Sequence, residues 1–129
     1  MSETIAKPFT FLAGDETVAG YGAGDGAWQL VQLDGAKFGA IGYLRFEAAG
    51  RITGAGPCNR FGGKQTAPYP WFRAERILST KRACPDMAAE SDYFQALQAM
   101  TLAEVQGDVL ILSTPEGREM IFHRVPDPL

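Results

Sequence analysis

A single histidine, only two cysteines and no long apolar run set the first limits on this 129-residue chain. A structural zinc centre takes about four Cys or His ligands, and the whole chain cannot supply them, so no metal is expected. A Ser-His or Cys-His nucleophile would have to recruit His123. That residue lies between Phe122 and Arg124 in an alternating stretch and reads as solvent-facing, and no serine stands in a nucleophile elbow. Asp86 with Glu90, or Asp15 with Glu16, read as helix-start and surface charges rather than paired acid and base. No catalytic constellation remains, and the chain reads as a non-enzyme without a cofactor.

Basic excess is missing too. Twelve Lys and Arg face fifteen Asp and Glu, a net charge of −3, which creates no field favouring nucleic acid or an anionic membrane surface. No apolar stretch approaches the roughly 20 residues that cross a bilayer. The start carries an early acid and only a short apolar patch at Phe9–Ala13, too short for the core of a secretory signal. The expectation is a cytoplasmic protein, or an exported one whose leader is gone. A monomer of one domain fits the length.

Glycine, by contrast, is plentiful before Trp28. Gly20-Tyr-Gly-Ala-Gly-Asp-Gly26 lacks the GxGxxG spacing of a phosphate loop, with no buried strand before it and no helix after it. Residues 1–27 therefore read as a flexible lead-in, and 28–129 as the folded domain.

From Trp28 the periodicity is that of strands. Trp28, Leu30 and Gln32 share a phase, and Asp34-Gly35 is a turn signal. Leu44 and Phe46 alternate with Tyr43, Arg45 and Glu47, and Ala49-Gly50 returns the chain so that Ile52 joins the face of Phe46. Residues 64–70 read as a surface loop because two prolines remove ladder donors. Trp71 and Phe72 follow; they read as core packing, with a ligand cleft as the alternative. One helix is predicted from about Pro85 to Met100, with Met87, Tyr93 or Phe94, Leu97 and Met100 on its apolar stripe. Leu102–Val105, Val109–Ser113 and Arg118–Arg124 form a meander in which Leu110 and Leu112 face the same way as Met120 and Phe122. The fold class is mainly β (α+β): an antiparallel, barrel-like sheet of six or more strands with one packed α-helix.

The cysteines leave two readings open. As a bridge, Cys58 and Cys84 would close a loop of about 27 residues, worth about 3.5 kcal/mol by chain entropy, and would indicate an oxidising compartment. As thiols, Cys84 at a helix start beside Lys81 and Arg82 would be reactive, with Cys58 as its resolving partner. Arg51, Arg60, Lys64, Lys81 and Arg82 surround the two segments and could receive an anion or acidic partner.

Trp28-Gln-Leu30, Leu44 and Phe46, Gly54 through Cys58-Asn-Arg-Phe-Gly62, and Thr80-x-x-Ala-Cys84 together resemble the META domain, also called the HslJ-like family. The likeness continues through Glu90, Phe94, Leu97, Gly107-Asp108, Leu110, Leu112, Gly117 and Phe122. The resemblance implies a small antiparallel barrel-like fold with a helix in its side, and a Cys58–Cys84 disulfide. It also implies an envelope or periplasmic location, often as a lipoprotein, with links to heat shock and other stress and no enzymatic activity. The fold is similar to the cracked barrel of pilot lipoproteins that hold an acyl chain. Pro57 and Arg82 depart from the family pattern, the first stiffening the turn and the second adding charge beside the bridge.

The expected function is a non-enzymatic envelope domain with a stress-protective or binding role. The alternatives are an acyl-chain carrier using Phe94 and Leu97, a cytosolic Cys58/Cys84 redox sensor, or a partner module presenting Arg60 and the 64–72 loop. The partner is then an unidentified protein or a small apolar ligand. Candidate binding residues are Asn59, Arg60, Trp71 and Phe94.

Overall fold

The computed structural model describes residues 15–127. Nine antiparallel strands form one sheet: β1 (Ala27–Leu33), β2 (Ala36–Lys37), β3 (Tyr43–Phe46), β4 (Arg51–Ala55), β5 (Arg60–Lys64), β6 (Glu75–Ser79), β7 (Leu102–Gln106), β8 (Val109–Ser113) and β9 (Glu119–Val125). The path runs β6-β5-β4-β3-β1-β9-β8-β7, with β2 hairpinned onto β1. The sheet curls but does not close into a barrel. Between its β6 and β7 edges the segment 70–72 forms a partial bridge: Trp71 pairs with Leu102, Phe72 N–H donates to Thr101 O, and Ala103 N–H donates to Pro70 O.

The helix α1 (Met87–Ala99) lies against the inner face. Its buried residues are Glu90, Tyr93, Ala96 and Leu97, which recur at the three- and four-residue spacing of one helical stripe. Rings fill the space between helix and sheet. Tyr93 lies 6.0 Å from Phe61 and 6.4 Å from Phe122, and Phe94 lies 5.1 Å from Phe61. The Tyr93 hydroxyl, fully buried, donates to Tyr43 O at 2.7 Å.

The alternation read from sequence holds across most of the sheet. Phe46 faces Ile52, Leu110 faces Phe122 and Leu112 faces Met120, all buried. It fails at Gln32. A bulge between Leu30 and Gln32 shifts the β1–β9 register, and a single extra residue turns every later side chain over. Gln32 is therefore exposed, and Leu33 packs on the core instead.

Part of the expected flexible lead-in is core. Residues Val18–Tyr21 form a 3-10 turn, Val18 and Ala23 are fully buried, and Tyr21 stacks on Tyr69 at 4.7 Å. Trp28 Nε1–H ties this segment down through Ala23 O at 2.9 Å. Arg124 lies over the Trp28 ring and donates to the carbonyls of Gly22, Asp25 and Gly107. Residues 1–14, including the apolar patch at Phe9–Ala13, lie outside the described residues, as do 128–129. Among the described residues, no helix is long and apolar enough to cross a membrane.

Candidate functional site

Cys58 and Cys84 are joined by a disulfide, with Cα atoms 5.6 Å apart. The bond ties the β4–β5 turn to the segment that enters α1, and a network of hydrogen bonds forms around it. Asn59 is its hub. The Asn59 side-chain amide donates to Glu90 Oε2 at 2.6 Å and to Arg82 O at 2.9 Å. Its Oδ1 accepts from the Thr80 hydroxyl at 2.8 Å and from Arg82 N–H at 2.7 Å. All four hydrogen-bonding positions of this side chain are filled. Its backbone O accepts from Gly56 N–H at 2.8 Å, closing the turn.

Glu90 is the second hub, and the sequence reading misplaced it. Expected as a surface charge at the helix start, it is 3% exposed. Its Oε1 accepts from Cys58 N–H at 2.9 Å and Asn59 N–H at 2.7 Å. A buried carboxylate needs such donors, since an unpaired one is very costly to desolvate. The signal that could have placed it is phase: Glu90 stands three residues before Tyr93 and seven before Leu97, on the stripe itself. Met87, expected on that stripe, is 43% exposed.

Glycine makes the approach possible. A Cβ on Gly56 would lie 2.7 Å from Glu90 Oε1, and one on Gly54 would lie 2.5 Å from the Phe61 ring. The Gly54-Ala-Gly-Pro-Cys-Asn run thus lets a helix carboxylate reach into a strand turn.

Asn59 is buried and fully bonded, while Arg60 is exposed beside it. Phe94 is half-buried against Phe61 and lines a groove of about 360 Å³ with Lys81, Arg82, Ala83 and Met87. Trp71 is 56% exposed, at the β7 seam, and does not line that groove. Phe72 beside it is core. The 64–70 loop is not all surface: Gln65 is buried and its Oε1 accepts from Arg73 N–H at 2.8 Å. His123 is exposed, as expected. Arg51 and Lys64 are direct partners across β4 and β5, in a row that does not include Arg60. No group of three or more His, Cys, Asp or Glu able to hold a metal occurs among the described residues.

A family model for the META domain matches residues 22–127. The chain belongs to the META domain family. No curated protein matches it. Among solved structures, this META domain is similar to a DUF4847 family protein from Bacteroides vulgatus, with a TM-score of 0.61 and 15% identity over 83% of this chain and 96% of that one. It is also similar to a protein from Burkholderia xenovorans, with a TM-score of 0.63 and 21% identity over 91% of this chain and 94% of that one. At these identities the likeness speaks for the fold alone.

Proposed function

We propose that this META domain is a non-enzymatic binding domain of an oxidising cell-envelope compartment, and that the disulfide corner is its binding surface. The observation that carries this reading is how the motif residues are employed. Asn59, Glu90 and Thr80 are taken up in holding the corner rigid, so recognition falls to what the corner presents, Arg60 and Arg82. A preordered surface loses less entropy when a ligand binds. The disulfide supports an oxidising location.

Of the two roles that the family resemblance carries, stress protection and binding, the geometry supports binding. An acyl-chain carrier is not favoured, because Tyr93, Phe61, Phe94 and Phe122 occupy the space between helix and sheet. A redox sensor is not favoured either, because the residues around the sulfurs are taken up in a structural network.

The test is a mixed library of neutral, cationic and anionic fragments, followed by amide shift mapping on the oxidised protein. Saturable shifts confined to residues 56–60 and 80–83 are expected. A library without any saturable ligand at the corner would sink the proposal.

A further inference from the structure

Beside the disulfide lies a second hollow of about 530 Å³, lined by no residue of α1. Ile41, Tyr43, Ala55 and Pro57 give it an apolar floor, and Arg60 and Arg82 line it with positive charge. No Asp or Glu is among its lining residues. That is unusual company on a chain whose net charge is −3. Arg45, Arg73, Arg118 and Arg124 each make an ion pair with a carboxylate. Among the described residues, Arg51, Arg60, Arg76 and Arg82 make none, and of these four Arg60 and Arg82 line this hollow. The nearest carboxylate in the network, Glu90, has its oxygens turned to Cys58 and Asn59.

The backbone fixes both arginines although their side chains are exposed. Arg60 N–H donates to the Thr80 hydroxyl at 3.3 Å, Arg60 O accepts from Thr80 N–H at 3.1 Å, and Arg82 is clasped by Asn59 from both sides. Ile41 is 49% exposed at the rim. Two arginines paired to no carboxylate among the described residues, lining an apolar hollow of small-molecule size, define a ligand by complementarity.

The geometry points to a small organic oxyanion on a compact apolar body as the ligand of this hollow, its carboxylate or phosphate taken by Arg60 and Arg82 and its body lying over Ile41, Tyr43 and Pro57. This rests on the corner being a binding surface and adds the class of ligand. A long acyl chain does not suit it, because rings fill the core between helix and sheet.

The test titrates the oxidised protein with phenylacetate and with phenyl phosphate. Acetate serves as the oxyanion without a body and benzyl alcohol as the body without a charge. Saturable binding of one or both aromatic anions is expected, with acetate and benzyl alcohol at least about tenfold weaker. Which aromatic anion binds more tightly separates a carboxylate from a phosphate ligand. Arg60→Ala and Arg82→Ala should each weaken it by about tenfold, the scale of one lost charge-assisted hydrogen bond. Lys37→Ala, which removes an exposed cation on β2 that lines neither the groove nor this hollow, should leave it unchanged. Both arginines are exposed and their network contacts are made by backbone atoms, so these variants keep the fold. Equal binding of acetate and phenylacetate, or no effect of either arginine variant, would overturn the inference. If the aromatic anions fail while a neutral or cationic fragment still binds at residues 56–60, the ligand class is wrong and the corner reading stands. If nothing binds there, both fall.

Discussion

Asn59 and Glu90, 31 residues apart in sequence, hold each other through two hydrogen bonds: Asn59 N–H to Oε1 at 2.7 Å and the Asn59 side-chain amide to Oε2 at 2.6 Å. Both residues are buried. This pair, not the disulfide alone, joins strand turn to helix.

Removing Glu90 should therefore be expensive in stability. Glu90→Ala leaves two backbone N–H groups and one amide donor without acceptors, at about 1–3 kcal/mol each where burial persists. A loss of about 3 kcal/mol or more is expected by urea unfolding, a large share of an ordinary domain's stability. Asn59→Asp should cost at least as much, because it sets a second carboxylate against Glu90 and against Arg82 O. The double variant Asn59→Ala/Glu90→Ala should cost less than the sum of the singles. Strict additivity would show that the two do not act as a unit.

Gly56→Ala and Gly39→Ala make a matched comparison. The added Cβ at Gly56 meets Glu90 Oε1 at 2.7 Å, whereas nothing lies within 4 Å of one at Gly39. Neither glycine has a positive φ. Gly56→Ala should destabilise by about 1–3 kcal/mol through overpacking. Gly39→Ala should be neutral or stabilise by up to about 1 kcal/mol through the unfolded chain. Thermal unfolding distinguishes them, and equal shifts would contradict the close approach.

Tyr93 makes stability sensitive to alkali. Burial pushes its phenol well above the ordinary tyrosine range. The unfolded chain releases this proton above about pH 10, while the folded protein keeps it. Its contribution is complete below that pH and is lost as pH rises beyond it. Tyr93→Phe should flatten this alkaline fall while costing about 1 kcal/mol at neutral pH for the lost bond to Tyr43 O. An unchanged alkaline profile in Tyr93→Phe would count against the burial.

At the other end of the scale stands Asp34, held below the usual carboxylate range by the Arg118 side chain and by Glu119 N–H. With its folded value lowered, its contribution is present above the unfolded value near pH 4 and is lost as acid protonates the folded carboxylate. Both partners are over 40% exposed, so solvent screening keeps the effect small. Asp34→Asn should remove the portion of the acid-side slope that salt also weakens. A slope that Asp34→Asn leaves untouched would assign acid sensitivity elsewhere.

Much of this was legible in the sequence, and the gaps have physical causes. The paired strands around Phe46/Ile52 and Leu110/Phe122 were readable because each buries one face. Gln32 was not, because a bulge has no mark in a two-residue period. Val18 and Ala23 were hidden by the glycines around them, which signal freedom in a peptide but here permit a tight turn under Trp28. Glu90 was misread because a charge at a helix start usually meets water. Its donors are backbone amides 31 and 32 residues away, and nothing local reveals them. Arg60 and Arg82 could be named from sequence, but their lack of counterions is a property of the folded surface.

The proposals of a binding corner and of an oxidising compartment both depend on the Cys58–Cys84 bond. The most direct measurement is a thiol count on denatured protein isolated from the cells that make it, with alkylation at lysis and with and without prior reduction. Neither cysteine should react until reductant is added, and reduction should then cost about 3 kcal/mol of stability. Two cysteines that react freely without reductant would contradict the bridge and return Cys84 to consideration as a reactive thiol.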